Sequence, residues 1–132
     1  MLSKTAIHAI RAVAALAERP HEFQGASSIA ERIGAPQNYL GKLLQNLANA
    51  DIVFSQKGSG GGFKLRRKAE KISLFDVVDP IDHVSRWNGC FMGSAICSKT
   101  HPCAMHTRWA AVRDDYLKML KESTIGDIVA HK

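Results

Sequence analysis

Apolar positions recur at helical spacing from the start of the chain. In "SKTAIHAIRAVAALAER", Ile7, Ile10, Val13 or Ala14, and Ala17 share one face, which predicts a first helix that Pro20 stops. Its alanines keep that face slim, so another helix can approach closely. A polar turn, "HEFQGA", leads to "SSIAERIG", where Ser28 and Glu31 have the spacing of a capping box and Gly34 suits a left-handed helix end. A short second helix is expected there. Pro36 then serves as the first residue of a third helix, whose Leu40, Leu43, Leu44 and Leu47 form its apolar stripe.

The period next changes to two. "DIVFSQKGSGGGFKLRR" reads as strand, glycine-rich turn and strand, with Phe63 and Leu65 alternating with Lys64 and Arg66. Two helices joined by a tight turn and followed by a basic hairpin describe a winged helix-turn-helix; the plainer alternative is a helical hairpin with a flexible, solvated turn. Gly58, Gly60, Gly61 and Gly62 would let the backbone approach a sugar-phosphate surface, with Lys57 at the tip suited to a narrow, electronegative minor groove. A phosphate-binding loop fits less well, because no Lys-Ser/Thr pair and no helix follow "GSGGG".

Beyond the hairpin, "SLFDVVDPIDHV" opens with the capping pair Ser73 and Asp76 and predicts a short fourth helix. "SRWNGCFMGSAICSKTHPC" has neither period and reads as a loop. "AMHTRWAAVRDDYLKMLKE" resumes helical spacing, with Trp109, Val112, Tyr116 and Met119 or Leu120 on a face that needs a partner.

A length of 132 residues fits one domain, or one compact domain with an appended element. The net charge of +6 belongs to the first half: residues 1–72 carry eleven Lys or Arg against five Asp or Glu, whereas residues 73–132 carry seven of each. That asymmetry suggests a polyanionic partner for the first half and another task for the second. No apolar run is long enough to span a bilayer and none resembles a signal peptide, so a soluble, cytoplasmic protein is expected. No nucleophile with a matching base stands out, and an enzyme is not expected.

The chain has three cysteines, an odd number that cannot pair off completely, and reduced thiols are expected. They fall as C-x6-C-x5-C-x2-H: Cys90, Cys97, Cys103 and His106, the last two a helical turn apart and able to share a metal. Structural zinc sites use tighter knuckles. An iron-sulfur cluster needs a looping segment, which Gly89 and Gly93 permit. Spacing alone leaves cluster, zinc and free redox thiols open.

"PQNYLGKLLQNLANADIVFSQKGSGGGFKLRR", followed by "ISLFDVV" and the closing "STIGDIV", resembles the Rrf2 family of bacterial winged-helix transcription regulators, which includes iron-sulfur assembly and nitric-oxide-sensing repressors. The likeness runs from Leu2 to about Val129. It implies a mainly α fold with a small β wing, a winged helix-turn-helix over residues 1–79, and a cysteine-rich cluster-binding loop with a long dimerisation helix over residues 80–132. Asp51 stands where a helix-ending glycine is usual, Pro80 interrupts the fourth helix, and Gly41 replaces a base-contacting acid found in a relative.

The resemblance further implies a repressor that binds a palindromic DNA operator as a homodimer, with Gln37, Asn38, Tyr39 and Lys42 on the major-groove face. Lys57, with Gly60 and Gly61, would enter the minor groove, and Ser28 would offer its backbone to a phosphate. It favours an iron-sulfur cluster held by Cys90, Cys97, Cys103 and His106, the two-iron form ranking ahead of the four-iron form. His8, reaching over from the partner helix, is the alternative fourth ligand, and His101 a third candidate. The implied role is sensing of redox, nitric oxide or iron-sulfur status. The other readings are a zinc- or thiol-dependent winged-helix protein without a cluster, and an iron-sulfur electron-transfer protein.

Overall fold

The computed structural model describes residues 2–85, 91–92 and 103–131. Helix α1 (Lys4–Ala17) begins where the Ser3 hydroxyl accepts from the Ala6 amide. It is the central helix: Ala6, Ala9, Ala12 and Ala15 are buried, and α2 (Ala26–Ile33), α3 (Gln37–Asn49), α4 (Leu74–Asp82) and α6 (Ile125–Ala130) pack around it. Small side chains on α1 let four helices share one apolar centre.

Helix α2 starts earlier than the Ser28 and Glu31 spacing suggests. Gly25, in an extended conformation, is its cap, and no side chain caps it. Ser28 therefore lies in the first turn, and the capping-box expectation fails because the helix is already under way when Ser28 is reached. At the other end Gly34 is left-handed, at φ 72°, as expected. Pro36 is the cap residue of α3 and not its first helical residue, its carbonyl accepting from Leu40 N at 3.0 Å. Leu40, Leu43, Leu44 and Leu47 are all buried. Each such side chain withdrawn from water contributes ~1.5–3 kcal/mol before entropy is counted. After α3, Asp51 takes the left-handed conformation (φ 63°), and the Ile52 amide reaches back to Leu47 O at 3.0 Å. An acid thus performs the turn a glycine would make without steric cost.

Strands β1 (Val53–Gln56) and β2 (Gly62–Leu65) pair antiparallel, Val53 opposite Leu65 and Phe54 opposite Lys64. Val53 and Leu65 are buried, which fixes the inner face. The "HEFQGA" segment is more than a turn: Gln24 and Phe63 exchange two backbone hydrogen bonds of 2.8 Å, adding a one-residue third strand position. The buried Gln24 side chain accepts from Arg32 Nη1 and donates to Leu16 O at 3.3 Å, while Arg32 also reaches Glu18 and Ala15 O. Wing, α1 and α2 are joined there.

A 3-10 turn (Ala69–Lys71) leads into α4, which carries the expected Ser73 and Asp76 capping box. Pro80 does not interrupt this helix, which continues to Asp82. Proline removes one amide close to the end, and that end is held from outside: Asp82 accepts from the Ser3 amide at 2.8 Å and from its hydroxyl, and Asp79 Oδ1 accepts from Ser85 N at 2.8 Å. Helix α5 (His106–Glu122) closes on α4 through Leu117 and Leu120. The chain then returns to its first half. Thr124 and Asp127 form a second capping box, Thr124 bridges Ser73, and Ile125 is fully buried. Among the described residues no helix is long and apolar enough to cross a membrane.

Candidate DNA-binding surface and cysteine segment

The turn at Gly34 sets α2 and α3 at an angle, so that the start of α3 stands at the surface. Gln37, Asn38 and Lys42 are exposed there, while Tyr39 is half-buried. The Tyr39 hydroxyl and His8 Nδ1 share a hydrogen bond of 3.1 Å, and the rings meet edge to face with centroids 5.5 Å apart. Tyr39 is therefore anchored at its tip to α1. A Cβ placed on Gly41 would meet only Ala26 Cβ, at 3.9 Å. Packing does not demand glycine here, so the smooth spot on α3 is a property of the surface.

In α2 the first helical backbone bond runs from Ile29 N to Gly25 O at 3.1 Å. The amides of Ala26, Ser27 and Ser28 precede it and point out of the helix start, and Ser27 and Ser28 are exposed. Ser28 thus lies in the exposed first turn of α2 without acting as a cap.

At the wing tip Lys57 is exposed. Gly60 is left-handed with open space around it, whereas a Cβ on Gly61 would lie 2.2 Å from Gln56 O, and one on Gly62, itself at φ 126°, would lie 2.3 Å from Gln24 O. Hairpin folding itself accounts for Gly61 and Gly62; Gly60 is the one in this run whose surroundings are free.

In the second half of the chain, Cys103 is a half-buried free thiol, and its carbonyl accepts from His106 N at 3.1 Å, which starts α5. Cys90, Cys97 and His101 lie outside the described residues. Among the described residues no three His, Cys, Asp or Glu gather into a metal-binding group. Phe91 packs against Trp109 with the rings tilted by 53° and their centroids 5.8 Å apart, next to the turn that carries His106. His8 lies in a cleft with Lys4, Thr5, Pro36 and Tyr39, facing the reading helix of its own subunit. The Tyr116 hydroxyl is pushed up in pKa by burial and by the nearby Asp82 carboxylate. The expected apolar face of α5 divides: Leu120 turns inward, together with Leu117, which is not among the residues expected on that face, while Val112 (63% exposed) and Met119 (48%) remain open.

Sequence reasoning missed the Gln24–Arg32 network and the Ser3–Asp82 clamp. Both depend on residues far apart in the chain, and neither leaves a local pattern.

The family model described as Rrf2, iron-dependent transcriptional regulator, matches residues 2–131. The chain belongs to the Rrf2 family. It is 27% identical over 131 residues to an HTH-type transcriptional regulator of Aquifex aeolicus (strain VF5), covering 98% of this chain and 91% of that one. It is 30% identical over 103 residues to the HTH-type transcriptional regulator IscR of Vibrio atlanticus (strain LGP32), covering 78% of this chain and 59% of the relative. Among solved structures, CymR of B. subtilis, described as its global cysteine regulator, superposes with a TM-score of 0.81 at 20% identity, covering 100% of this chain and 98% of CymR. IscR of T. potens superposes with a TM-score of 0.78 at 23% identity, covering 99% and 87%.

The Rrf2 chain is accordingly a DNA-binding transcriptional regulator with a mainly α winged-helix fold and a small β wing, and members of its family are regulators and not enzymes. The two solved neighbours share its fold, and one of them carries the name of a cysteine regulator. Fold alone does not select the signal.

Proposed function

We propose that this Rrf2 regulator is a cytoplasmic homodimeric repressor that reads redox, nitric-oxide or iron-sulfur status through an iron-sulfur cluster held by Cys90, Cys97, Cys103 and His106. The observation that carries this reading is the placement of Cys103 and His106. They lie one turn apart at the start of α5, the same rigid helix whose Val112 and Met119 stand open for a second subunit. Signal and pairing surface would share one element. Soft thiolates with one imidazole suit iron-sulfur ligation, and the start of a helix favours thiolate and an anionic group. When bound, such a cluster supplies a centre sensitive to oxidation, nitrosylation and iron supply.

The division of labour follows the chain: residues 1–79 read DNA, and residues 80–132 sense and pair. Gln37, Asn38, Tyr39 and Lys42 face the major groove, Lys57 with Gly60 and Gly61 the minor groove, and the Ser28 amide a phosphate. A contiguous set of contacts joins the halves. Asp82, at the end of α4 before the cysteine segment, holds Ser3; Ser3 caps α1; and α1 carries His8, which holds Tyr39 on the reading helix. A shift at the end of α4 reaches α3 by this route. Both half-sites of a palindrome must fit together, so a small change in their separation removes on the order of several kcal/mol of binding.

Anaerobic purification tests the cofactor. Coloured protein containing iron and acid-labile sulfide is the expected result. Colourless protein with stoichiometric zinc supports a zinc-dependent regulator, and metal-free protein whose DNA affinity follows the thiol redox state supports a thiol sensor.

A further inference from the structure

The outer face of the wing carries cations that the reading helix does not use. Lys64 Nζ sits 4.9 Å from the Phe23 ring centroid and 5.8 Å from that of Phe54, and the Arg66 guanidinium lies 4.5 Å from the Phe54 centroid. Phe54 is 40% exposed on a two-stranded hairpin, and its ring stands open to the two cations. Its use here is as a seat for two positive heads. His21, Arg67 and Lys68 line the same shallow cleft. Arg67 shares Asp76 at 3.4 Å. Among the described residues, no carboxylate forms a salt bridge with Lys64 or Arg66, the two cations that the aromatic rings hold in place.

Direction decides what this surface meets. Val53 and Leu65 bury the inner face of the hairpin, and the Ser55 hydroxyl donates to Gln45 Oε1 of α3 at 3.4 Å. Phe54 and Lys64, paired across the strands, point the opposite way, away from the reading helix. With α3 in a major groove and Lys57 in the adjoining minor groove, the outer face of the hairpin lies beside the backbone beyond the half-site. Duplex DNA presents a negative charge every ~1.7 Å along its axis, and a guanidinium resting on a ring keeps its N–H edges free for phosphate.

We infer that Lys64 and Arg66, seated on Phe54 and Phe23, form a second DNA-contact surface that grips the phosphodiester backbone flanking the operator half-site. This rests on the DNA-reading orientation proposed above. The surface carries no base specificity; it lengthens the footprint and raises the salt dependence of binding.

A duplex recovered by the wild-type protein from a random-sequence library is the probe, used as the minimal bound sequence and with about one helical turn, ~10 base pairs, of arbitrary sequence added on each side. The wild type binds the extended duplex several-fold more tightly than the minimal one. The Lys64→Gln, Arg66→Gln double variant binds the minimal duplex as the wild type does, loses the gain from extension, and shows a log–log salt slope smaller by about four on the extended duplex, two cations being lost from each of two subunits. A double variant that keeps the gain, or a wild type that shows none, overturns the inference while leaving DNA reading by α3 intact. A wild type that recovers no duplex overturns the reading orientation and this surface together.

Discussion

His8 Nδ1 and the Tyr39 hydroxyl are hydrogen-bonded at 3.1 Å, and this contact joins the central helix to the third residue of the reading helix. Such a bond is worth ~0.5–1.5 kcal/mol net. Tyr39→Phe and His8→Ala should each lower unfolding free energy by about that amount, and the double variant should cost less than their sum. Urea unfolding of cluster-free protein measures both. Because His8 is engaged within its own subunit, His8→Ala should retain iron; loss of iron in that variant would place His8 among the ligands.

Cys97→Ala and His106→Ala address the ligand set directly. Both should lose iron and acid-labile sulfide while remaining folded dimers by circular dichroism and sedimentation. Retained iron in either removes that residue from the proposed site.

Lys57→Ala should weaken binding to all duplexes by a similar factor and reduce the log–log salt slope by about two, since one cation is lost at each of the two half-sites. Fluorescence anisotropy over a range of salt concentrations reads the effect. An unchanged slope takes the wing tip out of the minor groove.

Val112→Asp combined with Met119→Glu places two carboxylates on the open stripe of α5 without touching the buried Leu117 and Leu120. The expected product is a folded monomer with operator affinity lowered at least tenfold, about 1.4 kcal/mol, because paired half-sites no longer bind as one unit. Sedimentation velocity showing a persistent dimer would place the subunit interface elsewhere.

Two left-handed positions should respond in opposite directions. Gly62→Ala forces a methyl against Gln24 O while holding a positive φ and should cost about 3 kcal/mol. Asp51→Gly relieves the left-handed conformation at the end of α3 and should stabilise by ~0.5–1 kcal/mol. Thermal unfolding of the two variants beside the wild type checks both signs.

The periodic parts of this fold were legible in its sequence. The leucine stripe of α3, the alternation through Phe63 and Leu65, and the Ser73 and Asp76 box each repeat a physical rule within a few residues, and each appears where expected. Gln24 could not be found that way, because a single bridging residue carries no alternation. Ser28 misled because the Ser-x-x-Glu spacing is met by chance inside a helix that the extended Gly25 had already opened. Pro80 misled because a proline near a helix end costs one bond, and the Ser3 and Asp82 contact that secures that end is distant in sequence. In α5 the pattern showed an apolar face but not how it divides; only the packing of Leu117 and Leu120 leaves Val112 and Met119 outside. The residues proposed to face DNA rest on family resemblance, since exposed polar side chains at a helix start look the same whether or not they meet a ligand.

The end of α5 is built into the first half of the chain: Leu74 N donates to Ser123 O at 2.8 Å, Ile125 N to Ile72 O at 2.9 Å, and Ile125 is fully buried. The helix therefore projects as a cantilever whose root is shared with the start of α4. His106 begins the far end of its seventeen residues and Cys103 stands just before it, so a displacement there has one backbone-bonded anchorage to push against, the root shared with α4.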